Sequence, residues 1–433
     1  MTKNEEYQKK AQFYIPAGAH TYSRTDEVYP ANAPKVFLRS KGSHTWDVDG
    51  NEYIDYNLAC RSVVVGYDFE RISNAAIEQI RNGNTASKAS KIEVDAAEVM
   101  CNLIPWVDMV KFAKNGSTVT TAAIKLARAY TGKKYIARCK EHAFFSYDDW
   151  FIGDTVVNAG VPDDISKLTL QFEYNNIDSV RNLFEQYKGQ IAALIMEPVE
   201  FDIPRNNFLQ EVGKLCKQYD VVYILDEMIS GFRWDIQGAA KYYNVVPDLV
   251  TYGKGMANGF SVAALGGKRE IMELGGLIPG KERVFLISTT HGAEMSSLGA
   301  FVETIKVYQE LNVVNRLWKV GKALVEGMTE IATELGINKY FYFEGDYCSP
   351  NFITKDQNGA SSMKYRTLFC QEMVKEGILM TCISLCYEHS DEDVEKTLNA
   401  ARKALQVYKM ALESSVDRFL EGRPMKVVFR KYN

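Results

Sequence analysis

Two apolar segments of the sequence end on side chains that could carry chemistry. The run VVYIL is followed at once by Asp226 and Glu227, and the run PDLVTY is followed by Lys254, which lies between two glycines. A buried carboxylate is costly unless a fixed positive charge faces it. Glycines beside a lysine let a ligand approach the backbone closely. These residue types indicate an acid and an amine that act on one bound group.

Two more apolar runs end in the same way. One is followed by Glu197, and the other leads through NGST into a helical stretch that contains Gly116, Ser117 and Thr118. The N–H groups at the start of a helix bind phosphate, and ligands of open α/β sheets lie beyond the carboxyl ends of the strands. We therefore expect one crevice to hold a phosphate, a lysine and a carboxylate.

This set of groups suits pyridoxal phosphate. Lys254 would bond to the cofactor's aldehyde, and Asp226 would keep the ring nitrogen protonated, so that the ring accepts electrons when a bond to Cα breaks. The residues Gly116, Ser117 and Thr118 would hold the phosphate. Each feature alone has an ordinary explanation, as a surface lysine, an acid that caps a helix or a plain N-cap. The prediction depends on their order within one α/β region.

Other cofactors fit less well. The segment GKGMANG has the spacing G-x-G-x-x-x-G rather than that of a dinucleotide fingerprint, and no acid follows at the expected distance. The histidines show no His-x-x-x-His spacing and the eight cysteines no Cys-x-x-Cys, so we expect no metal and reduced core thiols.

The bulk composition excludes some partners. The 433 residues are 46% hydrophobic and 24% charged, with a net charge of −4, which gives no electrostatic case for nucleic acid or an anionic membrane. No apolar run approaches the roughly 20 residues that span a bilayer. The charged N-terminal segment lacks the apolar core of a signal peptide, so we expect a cytoplasmic protein.

The pattern of elements predicts an α/β fold. Apolar strands alternate with amphipathic helices from about residue 87 to 306, which is typical of a mostly parallel sheet covered by helices. HTWDVDGNEYIDYN reads as a hairpin, YFYFEG as a strand, and HSDED as a helix start. A long helix is expected at about 300–310. We expect residues 63–314 to form a large cofactor-binding domain, and residues 1–62 and 315–433 a smaller α+β domain.

At these residues the sequence resembles the class-III, fold-type-I aminotransferases, and within them the glutamate-1-semialdehyde 2,1-aminomutase group. The segments that carry the resemblance, in chain order, are IPAGAHTYSR, WDVDGNEYIDY, LDEMISGFR, YYNVVPDLVTYGKGMANGFSVAALGGKREIM and HSDEDVEKTLNAARKA. The stretch from Asp226 to Lys254 is the most specific part.

The resemblance implies further roles. Met228 takes the position of a residue on one face of the cofactor ring, and Phe144, or Phe145 in the other register, would stack on the opposite face. Glu197 matches an acid on the O3′ side of the ring. Thr290 matches a threonine that reaches the phosphate of a partner subunit, which implies a homodimer. Core packing, or for Thr290 a helix cap, is the alternative explanation.

The resemblance also suggests substrate cations and a reaction. Arg24 matches an arginine for the substrate carboxylate, and Arg61 is a second candidate; both could instead form ion pairs. The segment before HSDED lacks the aminomutase's gating glutamate, the phosphate loop has become NGSTV, and the Tyr-His pair is lost. We therefore expect an aminotransferase that moves an amino group from L-glutamate to a sugar or similar carbonyl compound. The alternatives are an intramolecular aminomutase or epimerase, and a non-catalytic binding protein.

Overall fold

The computed structural model describes residues 1–432, and they divide into two compact units. The smaller unit contains Met1–Phe69 and Asn312–Val428, and the larger contains Glu70–Leu311 together with the chain from Phe429 onward. The division expected from the sequence has its boundaries at 62 and 314 and the whole C-terminus in the smaller domain. The Phe429 ring packs within the larger unit, 6.2 Å from that of Phe151.

The regular elements are as follows. The strands are β1 (Phe37–Lys41), β2 (His44–Asp47), β3 (Glu52–Asp55), β4 (Met109–Ala113), β5 (Tyr135–Cys139), β6 (Thr169–Phe172), β7 (Ile191–Met196), β8 (Val222–Glu227), β9 (Leu249–Tyr252), β10 (Ala263–Gly267), β11 (Phe341–Glu344), β12 (Asn351–Thr354) and β13 (Ile378–Leu379). The helices are α1 (Lys3–Tyr14), α2 (Leu58–Arg61), α3 (Glu70–Arg81), α4 (Lys91–Leu103), α5 (Gly116–Thr131), α6 (Asp149–Ile152), α7 (Asp163–Ser166), α8 (Ile177–Gln186), α9 (Phe208–Gln218), α10 (Ala239–Tyr242), α11 (Arg269–Met272), α12 (Met295–Leu311), α13 (Val313–Glu334), α14 (Met363–Lys375) and α15 (Asp391–Glu413).

A seven-stranded sheet forms the centre of the larger unit, in the order β4-β10-β9-β8-β7-β5-β6. The strands β6, β5, β7, β8 and β9 are parallel, and β10 runs antiparallel to both of its neighbours. The prediction of a mostly parallel sheet between helices is confirmed. Strand β10 was not predicted, because its sequence AALGG lacks the β-branched and aromatic residues that mark a strand.

Continuous burial explains the apolar runs of the central strands. Every residue of β7, β8 and β9 is buried, as expected for parallel strands with helices on the sheet. Helix α5 packs across several of these strands, and α9 packs on β8. The acids at the ends of β7 and β8, Glu197, Asp226 and Glu227, are buried as well.

The smaller unit contains a four-stranded sheet, β1-β2-β3-β13, and the β11–β12 pair. Strands β2 and β3 form the predicted hairpin. Ser390 caps α15 with a capping box that includes Asp393, as the sequence indicated. The long helix predicted near residues 300–310 begins earlier, at Met295. All eight cysteines are free thiols. In residues 1–432, none of the helices has the length and apolar character needed to cross a membrane.

Candidate active site

Asp226 is buried at the carboxyl end of β8, with 1% of its surface exposed. Its Oδ1 atom accepts hydrogen bonds from the Met228 N–H and from the Thr251 hydroxyl, both at 3.0 Å. Burial raises the pKa of Asp226, and the charge of Lys254 opposes this shift. A buried carboxylate thus lies at the end of β8, and a cation lies close enough to influence it.

Lys254 follows β9, the strand that pairs in parallel with β8. It begins a 3-10 turn, Lys254–Ala257, with a φ of +38°, which lies in the left-handed region that side chains disfavour. In the parallel register Asp226 pairs with Thr251. The neighbouring strands therefore bring the acid and the amine to the same edge of the sheet, as predicted for a ligand site.

The Met228 side chain fills the space between two glycines of this region. A Cβ atom on Gly116 would lie 2.9 Å from Met228 Sδ, and one on Gly253 would lie 2.5 Å from the same atom. Both distances are shorter than real carbon contacts, so a side chain at either position would displace the thioether. Met228 therefore explains why both positions are glycine, and it joins the start of α5 to the segment before Lys254.

The start of α5 offers several hydrogen-bond donors. Asn115 caps the helix, and its Oδ1 accepts from the N–H and the hydroxyl of Thr118, at 3.0 and 3.1 Å. Ser117 Oγ accepts from the Tyr147 N–H at 3.0 Å, which leaves the hydroxyl proton to donate. The N–H groups of Gly116 and Ser117 precede the first intrahelical bond. These two residues are thus better placed to hold an anion than Thr118, because the N–H and the hydroxyl of Thr118 already donate to Asn115.

The two phenylalanines that were candidates for ring stacking differ in burial. Phe145 is 2% exposed, and its ring packs against those of Trp150 and Phe151. Phe144 is 47% exposed, with the Phe429 ring 6.4 Å away. Phe144 therefore has ring surface available for a ligand, whereas Phe145 belongs to the core.

Glu197 directly follows β7 and is 3% exposed. Its N–H donates to Nδ1 of His142 at 3.0 Å. Burial, and to a lesser extent Arg138, lower the pKa of His142 to about 3, so the ring is neutral with its proton on Nε2. We did not assign a role to His142 from the sequence. Its position three residues after β5, another strand of the same sheet, was the signal available.

The second acid at the end of β8 has a different environment. Glu227 is fully buried. Its carboxylate accepts hydrogen bonds from the N–H groups of Ala239 and Ala240, at 3.0 and 2.7 Å, and from the Ser230 hydroxyl. Burial raises its pKa to about 7. Glu227 therefore holds the following loop and the start of α10 in place.

The remaining predicted residues belong to other segments of the chain. Thr290 is exposed, in the irregular segment before α12. In the smaller unit, Arg24 is exposed at the end of the turn Tyr22–Arg24. Arg61 is 7% exposed, and its Nη1 donates to Ser349 Oγ at 3.3 Å. Arg61 ends α2, where four successive residues have φ between 41° and 69°, so this turn is left-handed.

The residues present fit pyridoxal phosphate. A buried carboxylate suits a protonated ring nitrogen, a nearby lysine suits an aldehyde, and the first turn of α5 suits a phosphate. Within the described chain, no cluster of histidine, cysteine and acidic side chains could hold a metal ion.

The chain has clear relatives. A profile of the class-III aminotransferases matches residues 28–386. The 3-aminobutyryl-CoA aminotransferase of Cloacimonas acidaminovorans is 31% identical over 93% of this chain and 97% of its own. A glutamate-1-semialdehyde 2,1-aminomutase of Persephonella marina is 32% identical over 91% and 96%. Among solved structures, a pyridoxal-phosphate form of the FumI protein of Sphingopyxis has a TM-score of 0.86 at 24% identity, with 95% of this chain and 97% of that chain covered.

The fold is that of the fold-type-I pyridoxal-phosphate transaminases. The chain belongs to the class-III aminotransferases, and pyridoxal phosphate is its cofactor. The predicted family, fold class and cofactor are confirmed.

Proposed function

We propose that this aminotransferase moves an amino group from an amino acid, L-glutamate, to an aldehyde or ketone. The observation that carries the proposal is the buried Asp226 at the end of β8, whose pKa is raised by burial and lowered by the charge of Lys254, just after the next strand. A carboxylate in this state needs a cationic partner.

The two residues have distinct tasks. When bound, pyridoxal phosphate supplies an aldehyde and an electron-accepting ring. Asp226 would hold a proton on the ring nitrogen, because a buried carboxylate is stabilised by a cation beside it. Lys254 would hold the aldehyde through Nζ, and its free amine would serve as the base that moves the proton of the substrate's Cα.

Other residues bind and orient the cofactor. Ser117 and the backbone of Gly116 hold the phosphate, with Thr118 as a neighbour that fixes the cap. Phe144 covers one face of the ring and Met228 the other, and Phe145 is the alternative to Phe144. Glu197, together with His142, lies on the O3′ side.

We propose a homodimer in which Thr290 reaches the phosphate bound by the partner subunit. The exposure of Thr290 in the single chain supports this assignment. We also propose a cytoplasmic location, consistent with eight free thiols.

Arg24 and Arg61 are the proposed partners of the substrate carboxylate, by resemblance to the aminomutase group. The acceptor we favour is an oxidised sugar or another polar carbonyl compound. The relatives' names include an amino acyl-CoA and an amino aldehyde, so the acceptor has to be found by screening the protein after it has been loaded with amino groups from glutamate.

An intramolecular aminomutase is the second candidate, because several relatives at about this identity carry that name. The two reactions differ in one requirement. A mutase turns over its substrate without an added keto acid, whereas an aminotransferase stops after one half-reaction.

Replacement of Lys254 tests the proposed function. We expect Lys254→Ala to lose the visible absorbance band of the lysine-bound cofactor and all turnover with glutamate and a carbonyl acceptor. The control is Lys241→Ala, an exposed lysine on α10, which should keep both. A Lys254→Ala protein that retains the band would refute the assignment.

A further inference from the structure

Lys114 is a partly buried cation just before the cap of α5. Its side chain is 23% exposed, and Nζ lies 2.5 Å from Glu294 Oε2. Nζ also donates to the carbonyl of Ser261 and to the hydroxyl of Ser297, both at 2.9 Å. An ammonium has three protons, so these acceptors satisfy it completely.

These contacts join three segments of the larger unit. Lys114 precedes the phosphate turn, residues 116–118. Ser261 ends the lysine loop, residues 253–261, and its hydroxyl donates in return to the Lys114 carbonyl at 2.7 Å. Glu294 ends the Thr290 loop, residues 288–294, which leads into α12. The Lys114 ammonium group, just before the phosphate turn, thus binds the lysine loop through Ser261 and the Thr290 loop through Glu294.

Glu294 is itself firmly held. Its Oε1 accepts hydrogen bonds from the Asn84 side chain at 3.0 Å and from the Ser296 hydroxyl at 2.9 Å. The hydrogen bond from Lys114, followed by that from Asn84, lowers the pKa of Glu294 to about 2. The Lys114–Glu294 pair is therefore ionised at neutral pH and has a fixed geometry.

We propose that Lys114 is a positioning residue for the cofactor. It sets the spacing of the three segments that, under the proposed function, carry the phosphate donors, the anchoring lysine and the threonine for the partner subunit. It touches none of the reacting atoms. Its loss should therefore weaken retention of the cofactor more than it weakens folding, because each segment is also packed on the sheet or on α12.

The test compares cofactor release from four purified holoenzymes: wild type, Lys114→Met, Lys114→Arg and Lys111→Met. Lys111 is an exposed lysine on β4 that serves as the matched control. Release of pyridoxal phosphate is followed by its absorbance after dilution into a trap for free aldehyde. Loss of charged hydrogen bonds predicts a release rate about tenfold higher for Lys114→Met, a smaller rise for Lys114→Arg, and no change for Lys111→Met.

Two controls separate positioning from general destabilisation. Ser390→Ala removes the cap of α15 in the smaller unit and lowers the melting temperature, yet it should release cofactor at the wild-type rate. If it released cofactor as fast as Lys114→Met, the proposal would be overturned, as it would by a wild-type rate in Lys114→Met. Should Lys114→Met not fold, Glu294→Gln takes its place with the same expectation. A wild-type protein that binds no cofactor would instead contradict the proposed function.

Discussion

Two adjacent acids at the end of β8 carry out different tasks because their surroundings differ. Asp226 accepts hydrogen bonds from the Met228 N–H and the Thr251 hydroxyl and lies near the charge of Lys254, whereas Glu227 accepts from the start of α10 and from Ser230. Burial raises the pKa of both. Only Asp226 lies where a cation could reverse that shift, so only Asp226 is suited to act on a ligand.

The substitution Asp226→Asn tests whether activity depends on the negative charge of this side chain, because the amide keeps its size and removes its charge. The amide fills the same volume but cannot balance a protonated ring nitrogen, so we expect kcat/KM to fall about 100-fold or more. The free energy of unfolding of the apoprotein should not fall, since an uncompensated buried charge is removed. Steady-state kinetics and urea unfolding check the two parts. Wild-type activity in this variant would contradict the assigned role.

Glu227→Gln should show the opposite pattern. An amide nitrogen would face backbone N–H groups that now donate to a carboxylate, and we expect the free energy of unfolding to fall by about 1–3 kcal/mol. The absorbance of the bound cofactor should remain that of the wild type. Loss of cofactor without loss of stability would mean that Glu227, and not only Asp226, acts in the site.

At the scale of elements, the site depends on how a strand end, a helix start and a loop meet. Met228 follows β8 and packs against Gly116 at the start of α5 and Gly253 before the lysine turn. In the smaller unit, His44 on β2 connects strand β3 with helix α15. Its Nε2 lies 3.1 Å from Asp393 of α15 and its Nδ1 lies 2.8 Å from Glu52 of β3.

A double-mutant cycle tests the packing of Met228. Gly253→Ala should lower the free energy of unfolding by about 1–3 kcal/mol, because the added methyl group meets the thioether. In a Met228→Ala background the same change should cost less, since the obstructing atoms are gone. Urea unfolding of the four proteins gives the coupling energy. Equal costs in both backgrounds would exclude Met228 as the cause.

His44 should make the stability of the smaller unit depend on pH. The hydrogen bond with Asp393 is the largest cause that raises the pKa of His44, and burial only partly opposes it. The stabilisation is therefore fully present below the unfolded value of about 6.5 and is lost as the pH rises through the higher folded value. We expect His44→Gln to lower the melting temperature at pH 6 more than at pH 9. An equal reduction at both pH values would count against this account.

On the scale of the whole molecule, the sequence alone predicts the parallel sheet, because buried parallel strands have continuous apolar runs in their sequence. It also predicts that Asp226 and Lys254 share one edge of the sheet, because residues that follow neighbouring parallel strands meet there; their roles stay predictions. Strand β10 escaped prediction because small residues and glycine carry no strand signal. The ion pair of Lys114 with Glu294 escaped because its partners are far apart in the chain.

The return of the chain to the larger unit at Phe429 could likewise not be predicted from the sequence. Phe429 ends the short apolar run VVF, which is too brief to show a periodic pattern, and its ring contacts with Phe144 and Phe151 arise only in the folded chain. Tertiary packing of this kind, between residues remote in sequence, is what single-sequence patterns omit.

The most direct test of the account is to identify the residue that bonds to the cofactor. The protein is loaded with pyridoxal phosphate, treated with borohydride to fix the bond, digested, and analysed by peptide mass spectrometry. We predict stoichiometric labelling of Lys254 alone, and loss of that label in Lys254→Ala. Labelling at Lys114 or at scattered surface lysines, with Lys254 unmodified, would contradict the central claim.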